Sequence, residues 1–448
     1  MTAPEWTRLE NSAIIYPSCR TKKYATVFKM SASLGSEVDP SVLDRALKNV
    51  IGRFPGFRYT LRKGLFWWFL QKLENEPEVS DDLDLKPINT GLNGGYMFKL
   101  GCRGCDIELN VYHALTDGTG AMTFLMSVVA EYLRITGVNF EGYGKWVFDP
   151  FSEPCEEELE DGFDRFSGTK GALDDEKSAW HIPGTNISHD LLNNVRVSVR
   201  SQDLLSRTRE LGCTVTEYLV TLMLLSLQDV HREKGGKSNF LRMEVPVNLR
   251  PIYGCKTLRN FSSYVYIALD VTNGYFSFED ALQEVKYQKR LYTQPSRLTR
   301  RIAANVALED NLAIRCIPLF IKKPIINLIN FLKGDNYATY TLSNLGNIDL
   351  PEGMAQAVKD ANFTLGRTLR RSGTCACVSN GGVTNLNFSR KIVEDEFERA
   401  FVQRLRDENI HASVQVMLAA KKKPAVKERK SRPILCQRHF LPSFLLSI

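Results

Sequence analysis

The segment Asp106–Ile135 constrains this 448-residue chain more than any other stretch. An apolar strand, Asp106 to His113, ends at Ala114-Leu115-Thr116-Asp117-Gly118, and a helix begins at once. Met122, Leu125, Met126, Val129 and Leu133 recur at helical spacing between Thr119 and Ile135. The stretch reads as a strand, a turn and an amphipathic helix, and strands and helices mixed in this way argue for an α/β chain.

The same alternation of strand and helix runs along the chain. A strand is expected over Tyr24–Leu34, and Asp39-Pro40 starts a helix through Ile51, with an acid at the cap and Pro in the first turn. Phe57–Leu61 and Leu65–Leu73 read as a hairpin about Arg62-Lys63-Gly64, with Trp67 and Trp68 on opposite faces. A second hairpin joins Tyr96–Leu100 to Asp106–His113. Later strands are expected at Asn194–Arg200, Phe240–Val247, Ser262–Val271, Tyr337–Ser343, Gly382–Phe388 and His411–Met417. Helices are expected at Ser201–Leu211, Thr216–Val230 and Phe278–Leu291. The class is α/β, with mixed sheets in both halves.

Charge divides the chain further. Asp149–Glu176 carries eleven acids against two basic residues, so 149–190 reads as an acidic, solvated linker between lobes at 1–148 and 191–420. The formal charge of +7 resides in 421–448, with eight Lys/Arg and one acid, while 1–420 balances at fifty of each sign. A neutral body gives no support to a phosphate-binding groove, so nucleic acid is not an expected partner. The tail is expected as a disordered extension, reversible contact with anionic lipid being the alternative. The first residues have no basic flank ahead of an apolar core, and Ile314–Leu332 is broken by Arg315, Lys322, Lys323 and Pro324. Ten scattered cysteines without a disulfide framework point to reduced thiols and a cytoplasmic protein. Cys102-Arg-Gly-Cys105 with Cys375 and Cys377 could form a zinc site, but a Gly-flanked turn plus strand thiols is favoured, and no metal is expected.

His113 is the candidate base. It sits where a rigid strand ends, and a neutral imidazole with pKa near about 6.5 accepts a proton at physiological pH. Asp117 is placed past the turn to brace the loop, and Gly118 is expected to permit the sharp reversal. His181, His189, His231 and His439 form no metal spacing, and Lys234-Gly-Gly-Lys237 lacks the context of a phosphate-binding loop.

His113-Ala-Leu-Thr-Asp117-Gly118 resembles the HxxxDG motif of the acyl-CoA-dependent acyltransferases and their relatives. These include chloramphenicol acetyltransferase, wax ester synthases and condensation domains of nonribosomal peptide synthetases; the nearest likeness is to bacterial alcohol acetyltransferase-like proteins. Arg53-Phe-Pro-Gly-Phe-Arg58, Val245-Pro-Val-Asn-Leu-Arg250, Arg259-Asn-Phe-Ser-Ser263 and Leu342-Ser-Asn-Leu-Gly346 resemble further segments in the same order. Tyr112 stands where many relatives carry a first histidine. The resemblance implies two chloramphenicol-acetyltransferase-like lobes with an active-site tunnel between them. It implies a coenzyme A thioester as co-substrate, no permanently bound cofactor, and an alcohol or amine acceptor. A carrier protein's phosphopantetheine thioester is the alternative donor, and a non-catalytic binding protein on the same fold is the rival of another class. By the same resemblance His113 takes the acceptor's proton without an acyl-enzyme, Asp117 pairs with an arginine, here Arg250, and Ser343 or Asn344 faces the oxyanion.

Overall fold

The computed structural model describes residues 4–20, 26–167, 171, 177–188, 192–332, 336–368 and 371–417. The 421–448 tail, the start of the strand expected from Tyr24, and His189 and His439 lie outside the described residues. The first half runs β1 (Trp6–Arg8), α1 (Ile15–Cys19), β2 (Val27–Leu34) and α2 (Pro40–Ile51). The hairpins β3 (Tyr59–Lys63)–β4 (Trp68–Lys72) and β5 (Phe98–Arg103)–β6 (Asp106–Tyr112) follow, then α3 (Gly118–Ile135). Asp39 starts α2 by accepting from Ser41 N at 2.7 Å and Val42 N at 3.3 Å, and Pro40 presets the first turn. From Gly120 to Leu133 every residue of α3 is buried. It is therefore a core helix, where an amphipathic helix was expected.

The second half continues with α4 (Gly162–Phe166), β7 (Asn193–Arg200), α5 (Ser201–Glu210), α6 (Val215–Lys234), β8 (Phe240–Asn248), α7 (Arg250–Tyr253) and β9 (Ser262–Asp270). Next come α8 (Phe278–Tyr292), α9 (Pro295–Asp310), α10 (Leu312–Arg315), α11 (Leu319–Leu332), β10 (Tyr340–Asn347) and α12 (Glu352–Ala357). The chain closes with β11 (Val358–Leu365), β12 (Gly373–Asn380), β13 (Val383–Arg390), α13 (Glu396–Asp407) and β14 (Ala412–Met417). A capping box at Thr214 and Glu217 starts α6, whose apolar residues cover one face of the large sheet.

Among the described residues the strands form three sheets: β1-β4-β3, β11-β2-β6-β5 and β14-β7-β13-β12-β10-β8-β9. The two smaller sheets are antiparallel throughout. Parallel pairing is confined to β10, which runs parallel to β8 and β12.

Two expectations about organisation need correcting. The 191–420 segment is not one contiguous lobe, because β11 joins the first-half sheet, Val358 opposite Leu34 through Leu365 opposite Phe28. Its Asp360 and Asn362 disguise it, since both residue types are rare in strands. Nor is 149–190 only a solvated connector. Glu158 is buried against Arg53, whose Nη1 and Nη2 donate to it at 2.6 and 2.8 Å, and Phe163 and Trp180 are buried too. A buried carboxylate persists when a guanidinium pairs with it, so the acid count of the segment overstated its exposure.

Candidate active site

β6 ends at Tyr112, and the next residue, His113, is held at its backbone by Thr26, whose carbonyl accepts from His113 N at 2.9 Å. The imidazole is partly buried, stacked on Tyr16 at 4.2 Å between ring centroids and edge-on to Phe28 at 5.0 Å. Its two nitrogens face different partners. Nδ1 lies 3.1 Å from Asn260 Oδ1, and Nε2 lies 3.3 Å from the Tyr16 hydroxyl.

The tautomer follows from the bonds around Asn260. Its Nδ2 donates to Glu10 Oε1 at 2.8 Å and to His113 O at 3.0 Å, both acceptors, so its Oδ1 is the atom turned to the ring. An oxygen facing Nδ1 requires a proton there. Nε2 of the neutral ring then carries the lone pair, and the Tyr16 hydroxyl donates to it. Burial also holds the His113 pKa below the ordinary histidine value, which keeps the ring neutral and able to accept a proton.

Asp117 points away from this pair and into the protein. As the cap of α3 its Oδ1 accepts from Thr119 N at 3.1 Å and Gly120 N at 3.2 Å. Arg250 meets it with two parallel bonds, Nη1 to Oδ2 at 2.8 Å and Nη2 to Oδ1 at 3.1 Å. Phe261 N adds a fifth donor at 3.0 Å. Arg250 spends its remaining donors on the carbonyls of Thr257 and Arg259, both at 2.6 Å, and on Asn248 Oδ1 at 3.2 Å. Thr116 Oγ1 reaches Leu258 O at 2.5 Å. The 113–120 loop of the first half is therefore clamped by 250–261 of the second.

A second buried cluster backs Asn260. Arg259 Nη2 donates to Glu10 Oε2 at 2.6 Å and to Arg8 O at 2.7 Å. Beside it, burial pushes the Asp161 carboxyl up to about 6, with Arg259 opposing the rise.

Gly118 does not do what its sequence position suggested. It is the first residue of α3 and is not among the described glycines with positive φ, so it does not provide the reversal. Its missing side chain makes room instead: a Cβ there would stand 2.8 Å from Leu345 Cδ2. Gly104, at φ +58°, is the glycine that turns the β5–β6 hairpin. Cys102 lies in that hairpin and Cys375 and Cys377 in the large sheet, and among the described residues no group of three or more metal-ligating side chains forms.

The pleat of β10 separates Ser343 from Asn344. Tyr340 and Leu342 enter the core that α6 covers, and Asn344 follows them, Nδ2 donating to Thr216 Oγ1 at 3.1 Å. Asn344 Oδ1 accepts from Gly346 N at 2.8 Å. Ser343 shares the opposite face with Leu345, which packs on the first core beside Gly118. Among the described residues neither Ser343 nor Asn344 hydrogen-bonds His113.

Sequence reasoning passed over Asn260, Glu10, Tyr16 and Phe28. Asn260 stood in a segment already singled out, next to the arginine of Arg259-Asn-Phe. Glu10 and Tyr16 carried no signal, because 250 and 97 residues separate them from the partners that give them meaning.

No protein-family model matches this sequence, and no curated protein matches it. Solved structures do resemble it. The chain is similar to TRI101 of F. graminearum complexed with coenzyme A and T-2 mycotoxin, with TM-score 0.63 and 12% identity over 91% of this chain and 99% of that one. It is similar to polyketide synthase associated protein 5 from Mycobacterium tuberculosis, with TM-score 0.57 and 16% identity over 89% and 96% of the two chains. It also resembles the nonribosomal peptide synthetase FmoA3, with TM-score 0.55 and 13% identity over 90% of this chain and 44% of that larger one. The fold is the two-lobed chloramphenicol-acetyltransferase-like α/β fold that such proteins share.

Proposed function

We propose that the protein transfers an acyl group from a thioester to a hydroxyl or amine, with His113 as general base. The observation that carries this reading is the tautomer. Asn260 claims the Nδ1 proton, and the one basic nitrogen, Nε2, faces a hydroxyl, that of Tyr16, at 3.3 Å. An acceptor hydroxyl taking that place would lose its proton to Nε2 as its oxygen attacks the thioester carbonyl. The new C–O bond forms, the C–S bond breaks, and the proton passes from Nε2 to the departing thiolate. Atoms balance without an acyl-enzyme, so no Ser or Cys nucleophile is required.

Ser343 is the candidate donor to the developing oxyanion, supported by its place on the β10 face next to the start of α3. Asn344, committed to Thr216 and Gly346, is the weaker candidate. Asp117, Gly118 and Arg250 are positioning residues: they hold the loop and do not meet substrate. Coenzyme A is the first donor to test, since TRI101 was solved with it. The likeness to FmoA3 supports a carrier-protein thioester as second donor.

The test is release of free thiol from acetyl-coenzyme A and from an acyl-loaded carrier protein, each with a panel of alcohols and amines. Acceptor-dependent thiol release that disappears in His113→Ala is the expected result. If neither donor is turned over with any acceptor while the protein is folded, acyl transfer is wrong and a binding role stands.

A further inference from the structure

α11 leaves an apolar face uncovered. Phe320, Ile321, Pro324, Ile325 and Leu328 share one side of it, and that side is exposed: Phe320 is 65% and Leu328 57% accessible. Leu319, Lys322, Lys323, Ile326 and Asn327 lie on the side turned toward the protein, where Leu319 is buried. Surface helices ordinarily bury the apolar stripe and expose the polar one.

The apolar face extends beyond the helix. Leu319 N donates to Leu65 O at 2.8 Å and Lys322 Nζ to Phe66 O at 3.0 Å, which ties α11 to the tip of the β3–β4 hairpin. At that tip Leu65 is 63% and Trp67 50% exposed. On α10, Leu312 and Ile314 are exposed as well. Large contiguous apolar patches mark interaction surfaces.

Charge narrows what covers this one. Arg62 and Lys63 stand exposed on the hairpin beside it. An open cavity of about 540 Å³ at the edge of the patch is lined by Lys63 and Lys323 together with Arg20 and Trp68. A second copy docked face to face would bring the cations at this edge, Arg20, Lys63 and Lys323, against their own counterparts. The 421–448 tail, at net +7, meets the same repulsion. A surface of apolar chains under anionic headgroups complements both features, with an exposed tryptophan at the depth where such rings settle.

We propose that α11 and the β3–β4 tip form a docking face for anionic lipid surfaces, with headgroups set over the cationic cavity. The full-length protein is sedimented with vesicles of phosphatidylcholine, alone or with one-third phosphatidylserine. Binding is expected to the anionic vesicles, weakening with salt, and Phe320→Ser/Leu328→Ser is expected to lower partitioning at least about tenfold with an unchanged thermal melt. Tryptophan emission is expected to shift to the blue on those vesicles, and the shift to vanish in Trp67→Phe. Undiminished binding of the Phe320/Leu328 variant, or loss of binding only when Lys421, Lys422 and Lys423 become Gln, overturns the proposal. So does a wild-type dimer that ignores vesicles and dissociates on the Phe320/Leu328 change.

Discussion

The surroundings of His113 suit it to the role of base proposed for it. Packing between Tyr16 and Phe28 disfavours the charged ring, and Asn260 assigns its one proton to Nδ1. In His113→Ala, thiol release should fall by about 10²–10⁴-fold while the circular dichroism spectrum stays native. Because burial lowers the pKa, the acid limb of kcat/KM should lie below about 6.5. The sign for stability agrees: the unfolded chain takes up the proton first, so the contribution of neutral His113 is complete above the ordinary histidine value and is lost as pH falls. Ser343 and Asn344 offer a sharper contrast. Ser343→Ala should lower kcat by about 10²–10³-fold at unchanged stability, the effect of losing one oxyanion donor. Asn344→Ala should instead lower the urea midpoint, and equal kcat losses in both variants would refute the division made by the pleat.

α3 begins where two demands coincide on one carboxylate. Asp117 caps the helix and also neutralises a buried guanidinium from the other half of the chain. Asp117→Asn keeps an oxygen for the cap and removes the charge, so the loss should follow the buried pair, about 3–5 kcal/mol by urea unfolding. An effect below about 1 kcal/mol would mean that Arg250 is satisfied by its carbonyl partners. α4 provides the opposite case. Asp161 caps it by accepting from Phe163 N at 2.9 Å, and burial raises its pKa to about 6. The folded state therefore favours the protonated acid: this contribution is complete below the ordinary aspartate value and is lost as pH rises through about 6. Asp161→Asn keeps the capping oxygen and cannot ionise, so it should be more stable than the parent at pH 8 by about 1–2 kcal/mol after screening, with no difference near pH 4.

The two sheets that flank His113 are joined by side-chain amides. Asn385 Nδ2 donates to Asp360 Oδ1 at 2.6 Å and to Ala361 O at 3.2 Å, and Asn387 Nδ2 to Phe363 O at 2.9 Å. These bonds run from β13 to β11, which lies beside β2 and its Phe28. Asn387→Ala should cost about 1–3 kcal/mol, since it strips a buried carbonyl of its donor. It should also lower kcat/KM, because the sheet carrying Phe28 loses a tie to the sheet carrying Ser343. A variant with native kcat/KM at reduced stability would show that the ladder holds the molecule together without setting the site.

Local rules made much of this legible in advance. Asp39-Pro40, the β5–β6 hairpin and the strand-to-helix reversal at His113–Gly118 all rest on neighbours within a few residues, where propensity and periodicity act. The arginine opposite Asp117 came from the family resemblance of Val245–Arg250, not from local rules. β11, the burial of Glu158 and the partners of His113 were not legible. Asp360 and Asn362 argue against a strand until Asn385 and Asn387 face them, and Glu158 looks solvated until Arg53 arrives from 105 positions away. Periodicity reports which face of an element is apolar, but not which distant polar group will meet it. In this protein those distant pairings fix the tautomer of His113.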